Sequence, residues 1–266
     1  MKKSKFGWVL PSYLIAGLSY LFMPVLLVIM FSFNDLQGRF NVRWQGFTFE
    51  HWLDPFRVPA IPRALGTSLL IAFLSAFFST VLGTLIALAL VRYRFRGRAA
   101  TNVALFMPMA TPEVVMGSSL LALFVAMRAG TGFITLLIAH VLFNISYAVA
   151  TVRARIVGFE RHLEEAAMDL YADEWQTFRR VTLPMILPGV FAAFLLGFAL
   201  SFDDFVISNF TAGSVQTFPL YVWGAARRGI PAQVNVWGTV IFVVTVTVML
   251  LFLWGQRRRQ QRLGLA

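Results

Sequence analysis

The chain has 266 residues, 58% hydrophobic and only 13% charged, which excludes an ordinary soluble domain. The net charge is +11, but Lys and Arg stand at the ends of long apolar runs rather than on one soluble face, which argues against a nucleic-acid partner. Cysteine is absent, so neither a disulfide framework nor a thiol site enters the reading.

Lys2, Lys3 and Lys5 precede an apolar run over about 9–33. The run is too long for a signal-peptide core and no small-x-small cleavage pattern follows it, so it reads as a retained membrane span. Residues 34–62 are polar and aromatic, with a short surface helix predicted over Thr48–Phe56. A second span, about 65–91, carries a stripe of small residues at Ser68, Ala72, Ser75, Ser79, Gly83 and Ala87, the pattern that lets helices approach closely in lipid. Arg92, Arg94, Arg96 and Arg98 make a basic loop. A third span, about 102–127, is interrupted by Pro108 and Pro112 beside Glu113, and a fourth covers about 133–152. The fifth, about 185–208, contains Ser201-Phe202-Asp203-Asp204-Phe205, a loop follows to 232, and the sixth is about 233–254. The expected architecture is therefore all-α and polytopic, a single transmembrane domain over 1–266 with six spans.

Six spans put both termini, the 92–101 loop and the 153–184 loop on one side. That side holds 16 of the 23 Lys and Arg residues against 7 on the other. The positive-inside bias then predicts that both termini and the 153–184 loop are cytoplasmic, in the plasma or inner membrane.

The stretch GFERHLEEAAMDLYADEWQTFRRVTLPMILP, 158–188, holds six of the twelve acidic residues: Glu160, Glu164, Glu165, Asp169, Asp173 and Glu174. Apolar residues at Phe159, Leu163, Ala166, Ala167 and Leu170 have the spacing of one helix face. Asp173 followed by Gln176 predicts a capped second helix with Trp175, Phe178 and Val181 on one side, ending before Pro184 and Pro188 open the next span. Two short amphipathic helices between spans need a surface to cover them, and that surface is expected outside the chain.

The same stretch resembles the EAA loop of permeases of ATP-binding cassette (ABC) importers: Glu165-Ala166-Ala167, then Met168-Asp169-Leu170, then Ala172 to Arg180, then Val181-Thr182-Leu183-Pro184. The likeness extends over nearly the whole chain and is nearest to permeases of the spermidine/putrescine type. The family's Gly is replaced by Tyr171. Gly there suits a left-handed helix C-cap, a conformation that costs a non-Gly residue about 1–2 kcal/mol. Either this turn is strained or the first helix ends differently. The resemblance implies a type I importer permease fold and a coupling loop made of Glu164, Glu165, Ala166, Ala167, Asp169, Leu170, Tyr171 and Pro184. It also implies a paralogous permease as heterodimer partner, two copies of a cytoplasmic ATPase and an extracytoplasmic substrate-binding protein. No cofactor is expected in this chain. ATP and Mg belong to the partner ATPase, since the chain has no GxxxxGK[ST].

Asp203, Asp204 and Glu113 fall in or at the ends of spans, where carboxylates usually face a cavity or a partner. Two adjacent carboxylates cannot share one helix face, so one of Asp203 and Asp204 at most is expected to face a lumen. With Phe202, Phe205, Phe210, Tyr221 and Trp223 they offer charge and aromatic faces to a cationic solute such as a polyamine. His140 and Asn144, four apart, read as interhelical hydrogen-bonding groups, and no carboxylate or Cys near them completes a metal site. A secondary transporter would want an internal repeat and coupling-ion sites. An intramembrane enzyme would have to rest on Ser118, Ser119 and His140, which are too generic to form a nucleophile and base. Another small solute remains the alternative to a polyamine.

Overall fold

A computed structural model describes residues 8–158 and 162–262, so the readings placed on Lys2, Lys3, Lys5, Phe159 and Glu160 lie outside the described residues. In chain order the helices are α1 (Val9–Phe31), α2 (Glu50–Leu53), α3 (Ala60–Arg92), α4 (Arg98–Ala110), α5 (Glu113–Ala126) and α6 (Phe133–Val157). They continue with α7 (His162–Asp169), α8 (Glu174–Thr177), a π-helical turn (Phe178–Thr182), α9 (Leu183–Phe202), α10 (Val206–Thr211), α11 (Phe218–Arg228) and α12 (Ala232–Arg262). Among the described residues five helical stretches are long and apolar enough to cross a membrane, and the bent pair α4–α5 would make a sixth. The chain forms two compact units, 1–62 with 222–266, and 63–221.

In the first unit the chain after α1 is tied by Asn34, which is fully buried. Its side-chain amide donates to Asn41 Oδ1 at 2.7 Å and to the Arg43 carbonyl at 2.8 Å, and its Oδ1 accepts from the Gln45 N–H at 2.7 Å. Phe33 stacks against Phe47 and Trp52, at centroid distances of 5.6 and 5.4 Å. The predicted helix over Thr48–Phe56 is only α2, because the Thr48 hydroxyl accepts the Glu50 N–H and Pro55 forbids continuation. Trp237 of α12 donates its indole N–H to the Pro55 carbonyl at 3.0 Å, so α12 closes on this connection.

The second unit is built on α3, α6 and α9. Every member of the predicted small-residue stripe on α3 is buried. At Gly83 a Cβ would lie 2.6 Å from Ala148 Cβ of α6, so the two backbones approach as only glycine allows. On α9, Gly189, Ala193, Gly197 and Ser201 repeat every four residues and are buried too. Gly197 lies against Ala76 of α3 and Asn144 of α6.

One expectation about the spans is sharpened and two change. The interruption predicted in the third span falls at Thr111–Pro112, where two helices are bent by 111°, while Pro108 stays inside α4. A residue before proline is pushed from the helical region, and Thr111 is extended at ψ 131°. Next, α8 does not end before Pro184: helix continues from Glu174 to Phe202 through the π-helical turn. There the Leu183 N–H reaches back five residues to the Phe178 carbonyl. Widening of this kind relieves the clash that a proline ring makes with the carbonyl four residues earlier. Finally, the fifth span ends at Phe202, and the loop after it contains α10 and α11.

Gly66, also on α3, has open space where a Cβ would go. Gly83→Ala should destabilise the protein by about 1–3 kcal/mol through overpacking, while Gly66→Ala should be neutral or stabilising. Thermal unfolding of the detergent-solubilised variants checks this, and equal midpoints would remove the α3–α6 approach as a source of stability.

Candidate functional site

The loop between α6 and α9 ends its first helix on an unusual residue. Tyr171 has φ +63°, in the left-handed region that favours glycine. Around it the Ala172 N–H donates to the Ala167 carbonyl at 3.1 Å and the Tyr171 N–H to the Met168 carbonyl at 2.9 Å, the paired bonds of a Schellman cap. The first of the two alternatives therefore holds: the glycine geometry is kept and the strain accepted. Asp173 then starts α8, its carboxylate accepting the Gln176 N–H at 2.7 Å as the sequence predicts.

The side of α7 that meets the rest of the unit carries Glu164, and the apolar side read from the sequence is turned outward. Glu164 is buried while Leu163, Ala166, Met168 and Leu170 are exposed, and Ala167 is half-buried. The Glu164 carboxylate accepts from Arg92, at the end of α3, and from the hydroxyl of buried Thr182 in the π-helical turn. Arg92 also donates to Thr182 Oγ1 at 3.2 Å. Glu165 is turned outward, with its carboxylate 3.5 Å from His162 Nδ1. Asp169 is exposed as well, and Pro184 lines an apolar groove between α3 and α9. Beside the loop lies an open cleft of about 610 Å³ lined by Arg92, Glu164, Glu165, Trp175 and Thr182 among others. The loop thus turns large side chains outward, with Leu170 81%, Tyr171 98% and Trp175 67% exposed. Patches of this kind mark interaction sites.

A second constellation sits where α9 breaks into α10. His140 Nδ1 lies 2.5 Å from Ser201 Oγ, and Nε2 lies 3.0 Å from Ser208 Oγ and 3.4 Å from Asp204 Oδ2. Ser75 of α3 donates to Ser201 Oγ at 2.9 Å, and Asn144 donates to the Gly197 carbonyl at 3.2 Å. The interhelical bonding read for His140 and Asn144 is present, and with Ser75 it joins four helices, α3, α6, α9 and α10.

The structure separates the two adjacent aspartates. The Asp204 side chain is 5% exposed and accepts the Ile207 and Ser208 N–H groups at 3.2 and 2.8 Å, capping α10. Asp203 is exposed at the C-terminus of α9. Glu113 is exposed too, in the first turn of α5, at the break after Pro112. Of the aromatic rings read around the pair, Phe202 stacks on Phe198 at 6.2 Å, Phe210 lies against Gly117, and Trp223 carries the Arg227 guanidinium at 5.0 Å. These three rings are engaged by other groups, while Phe205 and Tyr221 also have partners. Ser118 and Ser119 are exposed on α5, and the Ser118 hydroxyl bonds the Val115 carbonyl of its own helix.

Sequence reasoning missed the stripe on α9, although its four-residue spacing of Gly, Ala, Gly and Ser was readable. It also left Glu164 and Glu165 undistinguished, since neighbouring acidic residues look alike until a partner is in view.

Five apolar helical stretches among the described residues, one bent helix pair and a loop with exposed apolar side chains between α6 and α9 define a multi-pass membrane protein. A family model described as binding-protein-dependent transport system inner membrane component matches residues 79–263, and the chain belongs to that family. It is 37% identical over 234 residues to the spermidine/putrescine transport system permease protein PotC of Haemophilus influenzae, covering 88% of this chain and 90% of that one. It is 36% identical over 236 residues to the putrescine transport system permease protein PotI of Escherichia coli, covering 86% and 83%. Among solved structures, a bacterial ABC transporter that imports the acidic polysaccharide alginate matches with TM-score 0.70, covering 96% of both chains at 16% identity. The fold is therefore that of an ABC importer permease.

Tyr171→Gly should relieve the strained cap and stabilise the loop by up to about 1 kcal/mol, whereas Tyr171→Val should weaken it. Slower hydrogen exchange at residues 167–172 in the Gly variant and faster exchange in the Val variant are expected, and the reverse order would contradict the strained cap.

Proposed function

We propose that this permease carries polyamines into the cytoplasm, driven by a partner ATPase that docks on the 153–184 loop. The observation that carries the coupling role is the helix running unbroken from exposed Glu174 through the π-helical turn into α9. A push on the loop has a direct covalent path into a span. In this reading ATP binding closes an ATPase dimer, which holds ATP and Mg, and the closure moves α7 and α8 so that the spans alternate between inward and outward openings. The assembly contains this chain, a paralogous permease, two ATPase copies and an extracytoplasmic binding protein, of which the family's description supports the binding protein.

Six crossings put the loop and both termini on one side, and the excess of Lys and Arg on that side favours the cytoplasm. Arg153, near the end of α6, donates to Asn102 of α4 at 2.9 Å, whereas Phe124 of α5 packs with Ala139 in the other half of α6. The bent pair thus begins near one end of α6 and finishes towards the other, which supports counting it as one crossing. Cysteine labelling is clean in a chain without native Cys. A probe at position 50 should react from outside, and one at position 174 only after permeabilisation. The opposite pattern would overturn the orientation and the docking with it.

The polyamine reading rests on the two named relatives and on an exposed carboxylate, Asp203, at a helix break. A cation entering a low-dielectric passage loses hydration, and a carboxylate there offsets part of the cost. In proteoliposomes holding the whole transporter, Asp203→Asn should lower spermidine uptake by about tenfold, equivalent to roughly 1.4 kcal/mol. Asp204→Asn should act mainly on protein stability, through the α10 cap. Parental uptake in Asp203→Asn would remove that residue from the pathway.

A further inference from the structure

Glu164 stands one residue before the Glu-Ala-Ala triplet, is 7% exposed, and meets groups from two different elements. A buried carboxylate is expensive unless paired and hydrogen-bonded. Here Glu164 Oε1 accepts from both partners: Arg92 comes from the last turn of α3 and Thr182 from the last residue of the π-helical turn leading into α9. Arg92 and Thr182 are themselves joined, so the three side chains form a closed triangle. Around it the fold is soft on one side and firm on the other. The π-helical turn has a wider, less regular hydrogen-bond ladder, the place where a helix deforms. Beyond it Ile186, Gly189 and Ala193 of α9 are buried, and Ile186 and Ala193 share one core with Ala87, Leu90 and Val152.

We propose that Glu164 is the positioning residue of the coupling loop, a latch that makes α7 move together with the ends of α3 and α9. Without it, displacement of α7 is absorbed by the Tyr171 turn and the π-helical turn. With it, the same displacement reaches two spans at once. Glu165, facing outward, keeps the separate task of meeting the partner. This inference rests on the loop being the ATPase contact.

The test is the ratio of solute taken up to ATP hydrolysed, measured in proteoliposomes on complexes whose subunit stoichiometry is checked after purification. Glu164→Gln keeps shape and removes charge, and it should lower uptake about tenfold more than it lowers hydrolysis. Thr182→Val should lower the ratio less, since the Arg92 pair remains. The exchange Arg92→Glu with Glu164→Arg should recover at least half of the parental ratio, where each single change does not. A parental ratio in Glu164→Gln, or loss of assembled complex with the ratio unchanged in what assembles, would reduce Glu164 to a structural group and overturn the latch. Ala167→Asp separates the two levels of the argument: if it leaves uptake and complex formation normal, the loop is not the ATPase contact and the underlying reading fails.

Discussion

Lipid gives no hydrophobic reward for bringing two helices together, so α3, α6 and α9 must be held by close backbone approach and by hydrogen bonds between buried polar groups. Both devices operate along the same seam. Gly83 admits Ala148, Gly197 admits Ala76 and Asn144, and one helical turn further along α9 Ser201 links Ser75 to His140. Each buried hydroxyl or imidazole that finds its partner here would be costly if left unpaired, which makes the arrangement selective for one register of the three helices.

That seam is rigid enough to carry interruptions elsewhere. The span made of α4 and α5 turns by 111°, and α9 stops at Phe202 before α10 resumes. Freed backbone groups in such places must be satisfied inside the protein. Asp204 does so for α10, and in doing so is committed to structure rather than to solvent. Carboxylates left exposed, Asp203 and Glu113, occur at these breaks. A transporter needs polar groups at membrane depth that are not already spent on its own backbone, and helix breaks supply the positions.

The loop between α6 and α9 reverses the usual amphipathic arrangement. Its inner contact is an ion pair, and its outer surface sets large apolar and aromatic side chains among exposed carboxylates. An exposed apolar helix face is unstable in water without a partner, but an inner contact made by charge and hydrogen bonds fixes the helix's orientation whether or not the partner is present. The Schellman cap at Tyr171 belongs to the same logic. A left-handed residue turns the chain sharply enough to start α8 after one short connection, and the geometry persists even where the side chain disfavours it.

Much of this was legible in the sequence because lipid makes simple demands. Long apolar runs, the small-residue stripe on α3, the Lys and Arg asymmetry, the cap at Asp173 and the loop spacing are local patterns, each with one physical reading. The starts of α1, α3, α6, α9 and α12 lie within about five residues of where these patterns put them, while the ends differ more. Other features depend on which groups meet. Neither the burial of Glu164 rather than Glu165, nor the capping role of Asp204 beside an exposed Asp203, can be read from adjacent identical charges. The π-helical turn that carries the chain past Pro184, and the sharp angle at Pro112, reflect how neighbouring helices share space. The sequence by itself determined which segments must avoid water, because that is a property of composition along the chain. Only the tertiary structure decided which charges were neutralised inside and which were left to act, because a buried charge is settled by the partner it finds across the fold.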